Sequence, residues 1–121
     1  MKWLFRLFSI LYIVGIFLFA DSPVVADLSL FNPYSLLHIP LYGILTLLLF
    51  FSFVPLKSDV RNSTDSTHLT YFVIVVVISL GVAVADEFHQ AYVPGRNASV
   101  YDVLLDMVGI GLCLFIVKRL Q

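Results

Sequence analysis

A single cysteine, Cys113, is all the thiol chemistry in this chain, so no intrachain disulfide and no cysteine-ligated metal centre can form within it. Set in an apolar run, Cys113 reads as a small buried hydrophobe. Charge is scarce as well. Only 12% of the 121 residues are Asp, Glu, Lys or Arg, the net charge is -1, and no basic run interleaved with aromatics occurs. The electrostatic footprint of a nucleic-acid-binding protein is therefore missing, and the expectation is no nucleic-acid partner. Also missing are a Ser-His-Asp order, a His-Glu-x-x-His helix and a phosphate-cradling glycine loop, which removes the sequence signatures of the common hydrolases and nucleotide-binding enzymes.

What is present in excess is hydrocarbon. Hydrophobic residues make up 60% of the chain and the mean hydropathy is +1.00, well above the roughly 45–50% apolar usage of soluble domains. The length suits one domain, and the expected fold is all-α: a polytopic membrane protein, a small bundle of four transmembrane helices at about 3–20, 36–56, 69–90 and 100–117. The first run is long enough to cross ~27 Å at 1.5 Å per residue, with Arg6 snorkelling and Trp3 anchoring at the interface. A signal-peptidase cut after Ala26 is the alternative for this segment. Pro40 falls in the first turns of the second span, where a missing amide proton costs little. Residues 57–68 are almost wholly polar and read as a solvated connector, with His68 exposed in it. Val and Ile dominate the third span, where length and neighbouring spans favour a helix in lipid over a buried strand. Gly43, Gly81 and Gly109 are expected at helix-packing contacts, and Tyr92 and Tyr101 at the interface.

Cations set the expected orientation. With four spans, Lys2, Arg6, Lys57, Arg61, Lys118 and Arg119 fall on one side and Arg96 alone on the other. The positive-inside rule then makes both termini cytoplasmic in a cell-membrane protein.

Polar chemistry concentrates in Asp86-Glu87-Phe88-His89-Gln90-Ala91-Tyr92-Val93-Pro94-Gly95-Arg96, followed by Asp102 and Asp106, which together hold four of the eight carboxylates. Charge near hydrocarbon is costly unless it is paired or faces a wet cavity, so this cluster marks a functional site. If the third helix runs through Gln90, then Asp86, His89 and Gln90 share a face, with Glu87 at its margin. Val93-Pro94-Gly95-Arg96 has the residue order of a type II turn. Ser99 reads as a helix N-cap with Asp102 at the third helical position. Asp106 stacks on Asp102, and Gly109 lies a turn deeper, where a neighbouring backbone could approach closely. His38, at the outer end of the second span, is at the same level.

The expected ligand-binding set is thus His38, Asp86, Glu87, His89, Gln90, Arg96, Asp102 and Asp106, in a pocket built by the second, third and fourth helices. Arg96 is its only fixed cation. Protons, a charged histidine or a bound cation must relieve the repulsion of four carboxylates, or these sit well apart in water. Asp106, inside the membrane edge and one turn below the like-charged Asp102, is expected to hold a proton unless Arg96, a charged histidine or a cation lies beside it.

Asp86-Glu87-Phe88-His89-Gln90, Val93-Pro94-Gly95-Arg96, Asp102-Val103, Gly109 with Gly111, and His38 with Tyr42 and Leu45 resemble the signature of the VanZ-like membrane protein family, whose namesake is associated with resistance to the glycopeptide teicoplanin. The resemblance covers roughly residues 36–112, the first helix fits by kind, and residues 1–121 then read as one VanZ-like domain. Two positions depart from the family pattern. Tyr34-Ser35 replaces an acidic-basic pair, and Asp106 stands where the family has Asn. Three functions compete. In the first, the pocket binds membrane lipid, a lipid-linked cell-wall precursor or an amphipathic glycopeptide at the outer leaflet, with Arg96 on a phosphate. In the second, Asp86, Glu87 and His89 serve a membrane-embedded hydrolase or transferase as metal ligands or acid-base groups, with His38 shuttling protons. In the third, the polar residues tie helices together. No metal or cofactor is assigned, although carboxylates with one or two histidines could hold a divalent ion without chemistry. A homo-oligomer is an open expectation.

Overall fold

The computed structural model describes residues 1–23, 32–54 and 65–120. Among the described residues are four α-helices, α1 (Lys2–Ala20), α2 (His38–Phe53), α3 (Asp65–Gln90) and α4 (Val100–Leu120), and a 3-10 helix at Asn32–Leu37 that leads into α2. There is no strand among the described residues. Lys57 and Arg61, together with Ala26 and Asp27, lie outside them, so the expected cleavage site and two thirds of the middle connector, residues 57–64, are not described. The part of that connector from residue 65 onward is helical: α3 starts at Asp65, earlier than hydropathy suggests.

Each element follows from solvation. A hydrocarbon core about 30 Å thick needs about 20 apolar residues, and α1, α3, α4 and the stretch Ser35–Phe53 are each long and apolar enough to cross it. With no water to satisfy the backbone, even the β-branched run Val73, Ile74, Val75, Val76, Val77 and Ile78 closes its own hydrogen bonds as helix. Pro40 is the third residue of α2, where its lost donor breaks no intrahelical bond. At the other turn, Gly95 has φ 81° and the Arg96 N–H donates to the Val93 carbonyl at 3.1 Å, the type II geometry that Pro94-Gly95 implies.

The helices run up and down, with α2 in the middle, packed most extensively on α4, then on α1 and α3. Its buried residues Tyr42, Leu45 and Leu49 meet Ile16, Val75, Ala83 and Ile110, one from each of the other helices or more. Small hydroxyls mark the close crossings: Ser9 and Ser52 join α1 to α2 at 3.2 Å, and Thr46 donates to Ser79 across α2 and α3 at 3.2 Å. Outward faces are apolar, as in Leu7, Leu11 and Leu18 of α1 and Leu104, Val108 and Phe115 of α4. Such surface suits lipid. At one end of the bundle Arg6 lies over the Phe53 ring, and at the other Asp21 meets His89, so the start of α4, the ends of α1 and α3 and the start of α2 share that second end.

Gly109 sets the depth at which α2 and α4 interlock. A Cβ there would collide with the Ile39 carbonyl oxygen and sit 2.9 Å from its carbon, so only glycine lets these backbones touch. Gly43, whose added Cβ would lie 3.5 Å from the Gly109 carbonyl oxygen, flanks the same crossing. Gly81 does not belong to this class. Nothing lies within 4 Å of its added Cβ and it is exposed, because the rotation of α3 turns it outward. Gly109→Ala is expected to cost about 1–3 kcal/mol through forced separation of α2 and α4, whereas Gly111→Ala, with open space around it, should leave thermal unfolding in detergent unchanged.

Candidate functional site

α2, α3 and α4 bring six of the eight expected residues together: His38, Asp86, Glu87, Gln90, Asp102 and Asp106 are all buried. On α3 successive residues turn by about 100°, so a face centred between Asp86 and Gln90 leaves Glu87 on one flank and His89 on the other. α4 takes up the first flank and α1 the second. Glu87 therefore enters the cluster, where its Oε2 accepts the Ser99 N–H at 2.8 Å, a carboxylate set against the start of α4. His89 points instead at α1: its Nε2 is 2.9 Å from Asp21 Oδ1, and its ring packs edge-on against Phe17. Expected on the face of Asp86, His89 is in fact a link between α1 and α3.

His38 is the centre of the cluster. Its Nδ1 lies 2.8 Å from Asp106 Oδ1, across α2 and α4, and its Nε2 is 4.0 Å from Asp102 Oδ2. The group beside Asp106 is thus an imidazole. Asp86 is held differently. Tyr42 donates to its Oδ2 at 3.3 Å and Gln90 Nε2 to the same oxygen at 3.0 Å, while Arg96 Nη2 donates to Gln90 Oε1 at 2.6 Å. Arg96 is in this way connected to the carboxylates through an amide. Tyr42, fully buried and stacked at 8° to His38, belongs to the site although no charge singled it out. Its signals were its place one helical turn after His38 and its part, with His38 and Leu45, in the family-like pattern of the second span. Ser99 caps α4 as its position implied, with its Oγ accepting the Tyr101 N–H at 3.2 Å.

Asp86, Glu87 and Asp106 each use one oxygen in a hydrogen bond, and Asp86 Oδ1, Glu87 Oε1, Asp102 Oδ1 and Asp106 Oδ2 are buried with no hydrogen-bond partner among the described residues. A network serving only to tie helices would be saturated, because an unmet buried acceptor costs about 1–3 kcal/mol. These carboxylates do not sit apart in water, so the repulsion among them falls to His38, protons or a bound cation.

Beside this cluster lies a cavity of ≈ 510 Å³. Leu11, Gly15 and Phe19 of α1 and Leu41 and Ile44 of α2 line its apolar length. Its polar end is made by His38, Asp86, Gln90 and Arg96. The volume is that of a small-molecule site, generally 300–1,000 Å³.

Fold and site together define a multi-pass helical membrane protein with a histidine-carboxylate cluster at one end of the bundle. The family model described as VanZ/LLP1 matches residues 4–121, and the chain belongs to that family. No curated protein and no solved structure matches it.

If the His38-Asp106 pair holds α2 on α4, His38→Ala leaves a buried carboxylate uncompensated and should cost about 3–5 kcal/mol. Adding Asp106→Asn should then recover at least about 1 kcal/mol, read as coupling in a double-mutant cycle of detergent unfolding. Strict additivity would show that the two side chains do not act as a pair.

Proposed function

We propose that this VanZ-family protein binds an amphiphile of the cell envelope, a lipid-linked precursor or the lipid-bearing part of a glycopeptide, at the outer leaflet. The observation that carries the reading is the shape and chemistry of the cavity between α1 and α2. Its long wall is apolar, and one end carries a guanidinium, an amide and a carboxylate. An acyl or prenyl chain would lie along Leu11, Gly15 and Ile44, and a phosphate at the polar end would take the charge-assisted donors of Arg96. Gln90 would orient Arg96, and Asp86 would accept a hydroxyl or amine of the headgroup. The tie between helices is the second reading, favoured by the His38-Asp106 and Tyr42-Asp86 bonds. The two coexist, since the same pairs that join helices also hold the polar end in place.

Gly15 lines the cavity and an added Cβ there meets nothing within 4 Å, so Gly15→Leu would fill the apolar length without disturbing the fold. Photo-crosslinking of a phospholipid bearing a diazirine tail to the reconstituted protein should fall at least fivefold in Gly15→Leu and in Arg96→Ala, with both proteins unfolding near the wild-type temperature. Undiminished crosslinking in both would remove the amphiphile reading. A large stability loss in Arg96→Ala alone would show that the guanidinium compensates a buried carboxylate rather than waiting for a headgroup.

The proposed orientation places both termini in the cytoplasm and the cluster outside. It rests on Lys2, Arg6, Lys57, Arg61, Lys118 and Arg119 against Arg96. With Cys113 replaced by Ser, a membrane-impermeant thiol reagent added to intact cells should label a cysteine at Asn97 and miss one at Ser63. The reverse labelling would invert the topology.

A further inference from the structure

His38, Glu87 and Asp102 come from three different helices, are all buried, and each offers a ligand atom within 4.8 Å of the others'. We infer that they form a binding site for a divalent transition-metal ion such as Zn²⁺ or Mn²⁺. One imidazole nitrogen with two carboxylate oxygens is a donor set for that class of ion, whereas Mg²⁺ and Ca²⁺ favour oxygen alone. The histidine is already set for it. Asp106 takes the Nδ1 side at 2.8 Å, which makes Nδ1 the N–H and leaves the Nε2 lone pair facing Asp102, the carboxylate-histidine arrangement that orients metal-bound imidazoles.

The distances agree with an ion between the groups. His38 Nε2 and Asp102 Oδ2 are 4.0 Å apart, too long for a hydrogen bond. Two donors each about 2.0–2.2 Å from one ion lie at most about 4.4 Å apart. Around a tetrahedral ion the donors would lie about 3.3–3.6 Å apart, so closing the full triangle takes a contraction of up to about 1.5 Å, within the reach of side-chain rotation. The unpartnered oxygens are an independent pointer: Glu87 Oε1 and Asp102 Oδ1 are buried acceptors that nothing among the described residues satisfies. A dication would meet both and offset the mutual repulsion of two carboxylates packed against a third and a fourth. Three protein ligands leave at least one coordination position open for water or a ligand oxygen.

The site does not depend on the amphiphile reading, and its test uses no added lipid ligand. The purified full chain in detergent, stripped with a chelator, would be dialysed against Zn²⁺ or Mn²⁺ and the bound metal counted. Wild type should hold about one ion per chain. Glu87→Gln with Asp102→Asn, which keeps side-chain shape, should weaken affinity at least tenfold, while Asp21→Asn, on the exposed carboxylate beside His89, should leave it unchanged. Should the double variant fail to fold, Mn²⁺ electron paramagnetic resonance on the wild type reads the site directly, since a ligated His38 imposes nitrogen hyperfine coupling that His38→Gln removes. Stoichiometry far below one ion per chain, affinity unchanged in the double variant, or a spectrum without imidazole nitrogen would each overturn the inference.

Discussion

A carboxylate removed from water must be met by a partner, and Asp106, with no exposed surface at all, is the point where this chain faces that requirement most severely. His38 meets it at 2.8 Å from the far side of the α2-α4 crossing. The pair fixes the rotation of both helices, because turning either by even a residue's worth, about 100°, would strand the acid in hydrocarbon. Everything else at this end of the bundle is placed by it. Once His38 faces α4, its neighbour a turn along, Tyr42, faces Asp86 on α3, and the imidazole's second nitrogen looks toward Asp102 and Glu87.

Close packing makes that pairing available. In lipid there is no hydrophobic gain from bringing apolar helices together, so contact depends on van der Waals fit and hydrogen bonds. Gly109 supplies the fit by letting the Ile39 backbone rest directly on α4, one residue from His38 and one turn below Asp106. The same small-residue logic recurs away from the site, in the Ser9-Ser52 and Thr46-Ser79 contacts, where hydroxyls bond both to the neighbouring helix and to their own backbone.

His38 also stands at the boundary between two environments. On one side is the α1-α2 cavity, whose polar end it shares with Asp86, Gln90 and Arg96. On the other is the group it forms with Glu87 and Asp102. The Arg96-Gln90-Asp86-Tyr42 chain and the Asp106-His38 pair are thus separate arms that meet at adjacent rings. A family Asn at position 106 could accept from Nδ1 as well, so the orienting role survives the Asp-to-Asn difference while the charge does not.

Much of this was legible along the chain. Apolar length announced four helices, Pro94-Gly95 announced the turn, Ser99 announced the cap, and the spacing of Asp102, Asp106 and Gly109 put them on one stripe. These are properties of neighbouring residues, set by solvation and by a helical repeat that holds whatever the helix packs against. Position along a helix, however, does not say how far the helix is rotated. Glu87 and His89 flank the Asp86-Gln90 face almost symmetrically, and only the presence of α4 on one side and α1 on the other sent Glu87 into the cluster and His89 out to Asp21. The His38-Asp106 and Tyr42-Asp86 partnerships, the outward turn of Gly81 and the cavity along α1 are likewise products of the tertiary structure, because each depends on the relative rotation and depth of two helices far apart in sequence.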